Sequence, residues 1–386
     1  MDRLDRMGFP ISEEDRALRE TLLRFGAERL APGAAERDRT HAFPTKEIAE
    51  LAAMGGMAMK TPEASGGPGI SNMGYALGIE AISRFDASVA VVMVASNLAA
   101  AILSSHATEA QIARFVRPAA TGALGALSFA LTEPGAGSDA AGIKTTARRD
   151  RTGWRLNGTK QWITGASHAK LVVVFAKTPE IAPDAVTCFA VDTARDGFSL
   201  GRIEDKMGLT SSGTAQLQFD DVWLDDEDVI GVAGQGLRVA LSAIAPSRIA
   251  IAAQSIGIAE RAFELGRDYA RERQAFGQPV ANFQNSRFVL ADARLRLDQA
   301  WLLALRGAHL LDQGVDIREE ASMAKLAGSE TCGWVVDAML QLHGGNGYSR
   351  DYEIERLYRD ARVMRIYEGT SEIQREVIAR AVLGRS

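Results

Sequence analysis

Cysteine and histidine are scarce: 386 residues hold two cysteines, Cys188 and Cys332, and five histidines. Two cysteines cannot build a disulfide framework, which points to a reducing compartment or to indifference to one. So few scattered imidazoles argue against a Cys/His metal site, and no metal is expected. Neither charge sign dominates. Lys plus Arg is 44 against 49 Asp plus Glu, a net charge of −5, which argues against a nucleic-acid partner because that needs a clustered positive face. Long hydrophobic runs are also missing. The most apolar stretch, Val89 to Leu103, is interrupted by Ser96 and Asn97; it is too short to cross a bilayer and reads as a buried helix. The opening Met1-Asp-Arg-Leu-Asp-Arg lacks the apolar core of a secretory signal, and its aspartates fit a transit peptide poorly. A cytoplasmic protein with no membrane partner is expected. No Gly-x-Gly-x-x-Gly sits at a strand-to-helix junction, so any dinucleotide is held by another architecture. Gly153 to Lys160 faintly resembles a P-loop, but Thr159 intrudes before Lys160. Asn157-Gly158 after a short β-run reads instead as a hairpin turn. The Asn157-Gly-Thr159 glycosylation sequon has no consequence without secretion.

What is present is ordinary for a globular protein: 46% apolar, 24% charged and 6% aromatic residues. The length suits two or three units. Glu13 to Leu30 carries Leu18, Leu22, Phe25 and Leu30 on one face, with Ser12 as cap and Pro32-Gly33 as stop. Shorter helices are expected over 44–54, 71–84 and 88–103, with a loop from Thr61 to Gly69. From Gly125 the texture changes to short β-rich runs at 144–149, 153–157, 171–176, 186–191 and 215–222. From Gly234 helical periodicity returns, over 237–274, 284–312, 317–343 and 370–383. The expected fold is α+β and multidomain, mainly α. It has an N-terminal helical domain (1–124), a middle antiparallel β-barrel domain (125–233) and a C-terminal four-helix bundle (234–386).

Five segments could carry chemistry. Leu131-Thr-Glu-Pro-Gly-Ala-Gly-Ser-Asp139 has an irregular backbone suited to close approach by a polar ligand, though a plain turn fits as well. Trp162-Ile-Thr-Gly165 ends a β-run with an aromatic and a hydroxyl that could meet a flat heteroaromatic ring, or fill a core. Arg271 to Pro279 offers Arg273 as a phosphate partner, or is a solvated charge run. Gln341 to Gly347 could touch a ligand through its backbone, or simply stop a helix; His343 within it reads as a buried histidine. In Tyr367-Glu-Gly-Thr-Ser-Glu-Ile-Gln374, Ser371 and Gln374 fit a capping box. Just before them, Glu368 is either a surface loop residue or a carboxylate whose pKa an apolar pocket would raise toward that of a general base.

Together, in this order and in a helix–β–helix layout, these segments make the chain similar to the acyl-CoA dehydrogenase family over nearly its whole length. The resemblance implies FAD, a homotetramer (or homodimer), an acyl-CoA substrate and an electron-transfer flavoprotein as acceptor. It implies α,β-dehydrogenation to a trans-2-enoyl-CoA, with Glu368 as the catalytic base. Phe129, Leu131, Thr132, Gly137 and Ser138 match the loop along the flavin, and Ser138 also the substrate. Trp162, Ile163 and Thr164 match the flavin-flanking segment. Arg273, Phe276 and Gln284, with Gln341, Leu342, Gly344 and Gly345, match groups that reach a neighbouring subunit's FAD. Thr370 and Glu372 match the last flavin contacts. Arg248, Tyr367, Gly369 and Arg380 match substrate-side positions.

Some residues depart from the family pattern. Some relatives carry the base just before the position of Arg248, where this chain has Ser247. Several have Asp where this chain has Ala245, so an acyl group on a carrier protein is an alternative substrate. Pro246 could alter the start of its helix. Ala95, Ala99 and Ala100 are either room for a longer acyl chain or close helix packing. Alternatives within the fold are an acyl-CoA oxidase or a flavin-monooxygenase-like relative. An alternative of another class is a non-catalytic acyl-CoA-binding protein.

Overall fold

A computed structural model describes residues 4–384. Its N-terminal part is helical: α1 (Glu13–Phe25), α2 (Ala31–Thr40), α3 (Thr45–Ala53), α4 (Asn72–Ser83) and α5 (Ala87–His106), then the short α6 (Glu109–Gln111) and α7 (Arg117–Ala120). Ser12 caps α1 by accepting from the Asp15 N–H, and Asp86 caps α5 through Ser88 and Val89. Pro32-Gly33 does not stop the first helix. A π-turn over Gly26–Leu30 absorbs the missing proline N–H, and the chain stays helical to Thr40. Helix α5 runs for 20 residues, longer than the apolar run alone suggests. It and α8 (Gly236–Glu272) are long and apolar enough to cross a membrane, with 83% and 61% of their most apolar windows buried inside the molecule.

The middle part is one seven-stranded sheet: β1 (Leu127–Ala130), β2 (Thr146–Asp150), β3 (Gly153–Ile163), β4 (Leu171–Lys177), β5 (Val186–Asp192), β6 (Phe198–Ile203) and β7 (Ala215–Asp225). It corrects the expected antiparallel barrel in two ways. The sheet is mixed, because β1 pairs parallel with β4 from Leu127↔Leu171 to Ala130↔Val174. It is also curled but open: β5 pairs only β4, β6 pairs only β7, and β5 and β6 are not paired with each other. Asn157-Gly158 is not a hairpin turn. It is a bulge inside the 11-residue strand β3, where the register to β7 shifts between Leu156 and Gly158. Gly158 has φ 144, and a Cβ there would come within 2.6 Å of Thr145 Oγ1, so the glycine serves close strand packing.

The C-terminal part holds α8, a small hairpin of β8 (Gln274–Ala275) and β9 (Gln278–Pro279), then α9 (Gln284–Asp312), α10 (Arg318–His343), α11 (Glu353–Ala361) and α12 (Ser371–Val382). Pro246 lies inside α8, ten residues past its first residue, and does not open it. Helix α8 is central. Its buried face from Ile249 to Ala262 joins one core with α4, α5, α9 and α10, and its first turns join a second core with β1, β4 and β5. Cys188 and Cys332 are free and buried, and burial pushes both thiols up.

Candidate active site

Three of the segments singled out in the sequence hold a non-glycine residue in the left-handed backbone region: Trp162 (φ 63) near the end of β3, Phe276 (φ 51) between β8 and β9, and Glu368 (φ 53) between α11 and α12. Such conformations cost roughly 1–3 kcal/mol each and persist where the surroundings enforce them.

The Glu368 loop joins α11 to α12. Gly369 follows at φ 88, where only glycine is unstrained. The Gln374 amide donates to the carbonyls of Glu368 (3.0 Å) and Gly369 (2.9 Å), and Lys325 Nζ donates to Gly369 O at 2.7 Å. The expected capping box at Ser371 and Gln374 is therefore not formed. Thr370 is the cap, accepting from the Ile373 N–H, while Ser371 donates to Glu330. Tyr367 donates to Gln254 Oε1 at 2.6 Å, which ties the loop to α8.

The Glu368 carboxylate itself accepts one hydrogen bond, from Ser247 Oγ at 3.2 Å. Burial pushes its pKa up, and the Ser247 hydroxyl with the charges of Arg248 and Lys325 offsets only part of that. The backbone N–H of Glu368 makes no hydrogen bond among the described residues. Arg248 donates to Ser322 Oγ at 2.9 Å, and its Nε is buried without a partner. A cavity of about 320 Å³ opens beside Ser247. Tyr75 from α4, Leu98, Ala101 and Ile102 from α5, and Ser242, Ala243 and Pro246 from α8 line it. Ala99 and Ala100 are instead buried in the core, so they are packing residues.

The second region is at the β1 and β3 ends. Gln161 N donates to Thr132 O at 2.9 Å and Ser128 Oγ to Thr164 O at 2.8 Å, so the loop after β1 and the Trp162–Thr164 segment lie side by side. Phe129 and Leu131 pack in the same core as Ala243 and Ile244 of α8. The next turn of that helix brings Ser247 to Glu368. Glu133 anchors the loop: it is buried and accepts from Lys144 N (2.6 Å), Thr145 N (3.0 Å) and Lys160 Nζ (2.7 Å). Lys160 is fully buried and also donates to Leu131 O. Trp162 is 54% exposed, and nothing lies within 4 Å of a Cβ built on Gly137, so this wall faces open space.

A third group forms elsewhere. Tyr269 of α8 stacks on His343 with centroids 4.3 Å apart, and Asn346 donates to its hydroxyl. This brings the Arg273–Phe276 hairpin near the Gln341–Gly345 turn. Phe276 is 97% exposed. Gln284, Gln341, Gly344 and Gly345 are exposed too, with Leu342 half-buried. Among the described residues no hydrogen bond or ion pair joins this group to the Glu368 loop. His343 is buried and bonded to Met339 O. No cluster of His, Cys, Asp and Glu that could hold a metal occurs among the described residues. Exposed Glu372 lies in the first turn of α12, and Arg380 pairs with Glu376 on its surface.

Sequence reasoning passed over Tyr75, Glu133, Lys160 and Lys325. A signal existed for Lys325: it is one positive charge on a helix face otherwise made of Ala321, Ala324, Gly328 and Cys332.

Comparison with known proteins matches three family models: the N-terminal domain (residues 12–123), middle domain (128–222) and C-terminal domain (234–383) of acyl-CoA dehydrogenase. The chain is 40% identical to the mitochondrial short-chain specific acyl-CoA dehydrogenase of Mus musculus over 96% of this chain and 90% of that one. A chain solved in work on the electron transferring flavoprotein of Acidaminococcus fermentans and flavin-based electron bifurcation superposes with TM-score 0.95 at 34% identity, covering 99% and 100%. Butyryl-CoA dehydrogenase from Megasphaera elsdenii superposes with TM-score 0.94 at 34% identity, again covering 99% and 100%.

Proposed function

The chain belongs to the acyl-CoA dehydrogenase family and is an oxidoreductase acting on CH–CH groups; from that premise we propose that it converts a short acyl-CoA to its trans-2-enoyl-CoA, with Glu368 as the base. The observation that carries this reading is the Glu368 carboxylate. It stands next to a cavity, one hydroxyl bonds it, and burial raises its pKa. A thioester α-proton is weakly acidic, so the base must be desolvated and aimed. The unpartnered Glu368 N–H suits the thioester carbonyl oxygen, where negative charge grows as the proton leaves. Tyr75 and Ser247 in the cavity wall orient the acyl arm against the carboxylate.

FAD fits the second and third groups. Trp162 and Phe276 are large apolar side chains left uncovered, and Gly137, Gly344 and Gly345 border open space. Acceptance of the β-hydride is the chemistry that bound FAD supplies. Phe129, Leu131, Thr132, Ser138, Trp162, Ile163, Thr164, Thr370 and Glu372 would hold it from one subunit. Arg273, Phe276, Gln284, Gln341 and Leu342 would reach it from a second copy, in a homotetramer or homodimer. Arg248 and Arg380 would serve the CoA side. An electron-transfer flavoprotein is the proposed acceptor, in keeping with the likeness to the Acidaminococcus chain.

Anaerobic addition of butyryl-CoA to the purified enzyme tests the reading. Flavin absorbance bleaches promptly in the wild type. Glu368→Gln retains flavin while the bleaching rate falls by roughly 10²–10⁴. Normal bleaching in that variant puts the base elsewhere. Rapid peroxide formation in air identifies an oxidase, and a colourless protein that takes up no FAD identifies a binding protein.

A further inference from the structure

The proposed reaction leaves the buried cation of Lys325 without a role. Lys325 lies on α10, its side chain fully buried, 44 residues before the loop it touches. Its ammonium meets the carbonyl of Gly369, the peptide next to the proposed base, at 2.7 Å. Gln374 holds that same carbonyl and the preceding one. These three bonds hold the two left-handed residues, Glu368 and Gly369, in a loop whose carboxylate accepts from Ser247 in the cavity wall. Misplacement of a catalytic group by about 1 Å can cost ~100-fold in rate.

We infer that Lys325 is a positioning residue for Glu368: it clamps the loop through the Gly369 carbonyl, and its charge favours the ionised carboxylate. The inference rests on Glu368 being the base. The groups that face Glu368 are Tyr75 from α4, Ser247 and Arg248 from α8, Lys325 from α10 and Tyr367 from its own loop. Of these, the cations Arg248 and Lys325 lower its pKa. Burial, with Arg248 beside it, pulls Lys325 down to about 8, against Glu368, Glu330 and Glu372. Its charge is thus present at neutral pH and fades as pH rises through about 8.

The test uses the FAD-loaded enzyme and butyryl-CoA, with Lys325→Met and Lys325→Arg followed by kcat, KM and their pH profiles. Lys325→Met keeps flavin, lowers kcat ~10-fold or more with KM within ~3-fold, and moves the acid limb of kcat/KM to higher pH. Lys325→Arg, whose charge does not titrate in this range, returns that limb toward its wild-type position and removes any limb near pH 8. A fall in kcat with an unmoved acid limb means a purely structural residue and overturns the inference. So does wild-type kcat in Lys325→Met. Should Lys325→Met not fold, an unchanged alkaline limb in Lys325→Arg overturns it alone. Failure of the base assignment shows separately, as activity surviving in Glu368→Gln.

Discussion

Two glutamates in this molecule, buried Glu133 and half-buried Glu368, have opposite surroundings. Glu133 accepts two backbone N–H groups and a buried ammonium. Burial would raise its pKa, but the Lys160 charge and hydrogen bond, with the donors at Thr145 and Lys144, outweigh it and hold the carboxyl below its usual range. Glu368 accepts one hydroxyl at 3.2 Å and forms no direct ion pair with Arg248 or Lys325 among the described residues, and burial raises its pKa. One carboxylate is spent on structure: it anchors the loop that follows β1. The other is left under-bonded, as the proposed role of a base requires. The ammonium in direct contact with Glu133 and the greater number of donors that reach its oxygens separate the two environments.

The largest blow to this contrast comes from Lys160→Met. It strands the Glu133 charge in the core, and denaturant unfolding at pH 7 should show a loss of ~3–5 kcal/mol. Less than ~1 kcal/mol would mean that the pair holds nothing. Glu133→Gln is milder, at ~1–3 kcal/mol. Burial has already pulled Lys160 down to about 8, so that partner can shed its proton when left alone. The smallest effect belongs to Glu368→Gln, where stability should hold or rise by up to ~1 kcal/mol as activity vanishes. The sign follows from linkage. A carboxyl with a raised folded pKa costs stability increasingly as pH climbs from 4.5 through the raised value. The gain in Glu368→Gln should therefore grow across that window and level off above it. Destabilisation matching that of Glu133→Gln would erase the distinction.

Helical elements were legible because burial follows a 3.6-residue period. Gln284 to Asp312 coincides with α9, and Ser12 caps α1. Local rules failed where a distant partner decided. Asn157-Gly158 looks like a turn until β7 runs alongside it, where Asp221 N donates to Asn157 Oδ1. Pro32 reads as a stop only if no π-turn absorbs it. The parallel pairing of β1 with β4 joins residues 44 positions apart and leaves no local pattern. At the candidate site, the Glu368 segment stood out through its motif. Its clamp was not: the Lys325–Gly369 bond also spans 44 residues, and the Lys160–Glu133 bond 27. Motif residues announce themselves in one segment, whereas the groups that tune them belong to other elements.

The left-handed residues Trp162, Phe276 and Glu368 carry a consequence for breeding this enzyme in the laboratory. Glycine would adopt each backbone conformation more cheaply, by roughly 1–2 kcal/mol per position. A screen that rewards heat resistance alone would therefore drift toward glycine at these three positions and remove side chains on which the proposed function rests. Selection for turnover has to be applied in every round, because the scaffold by itself has no reason to keep them.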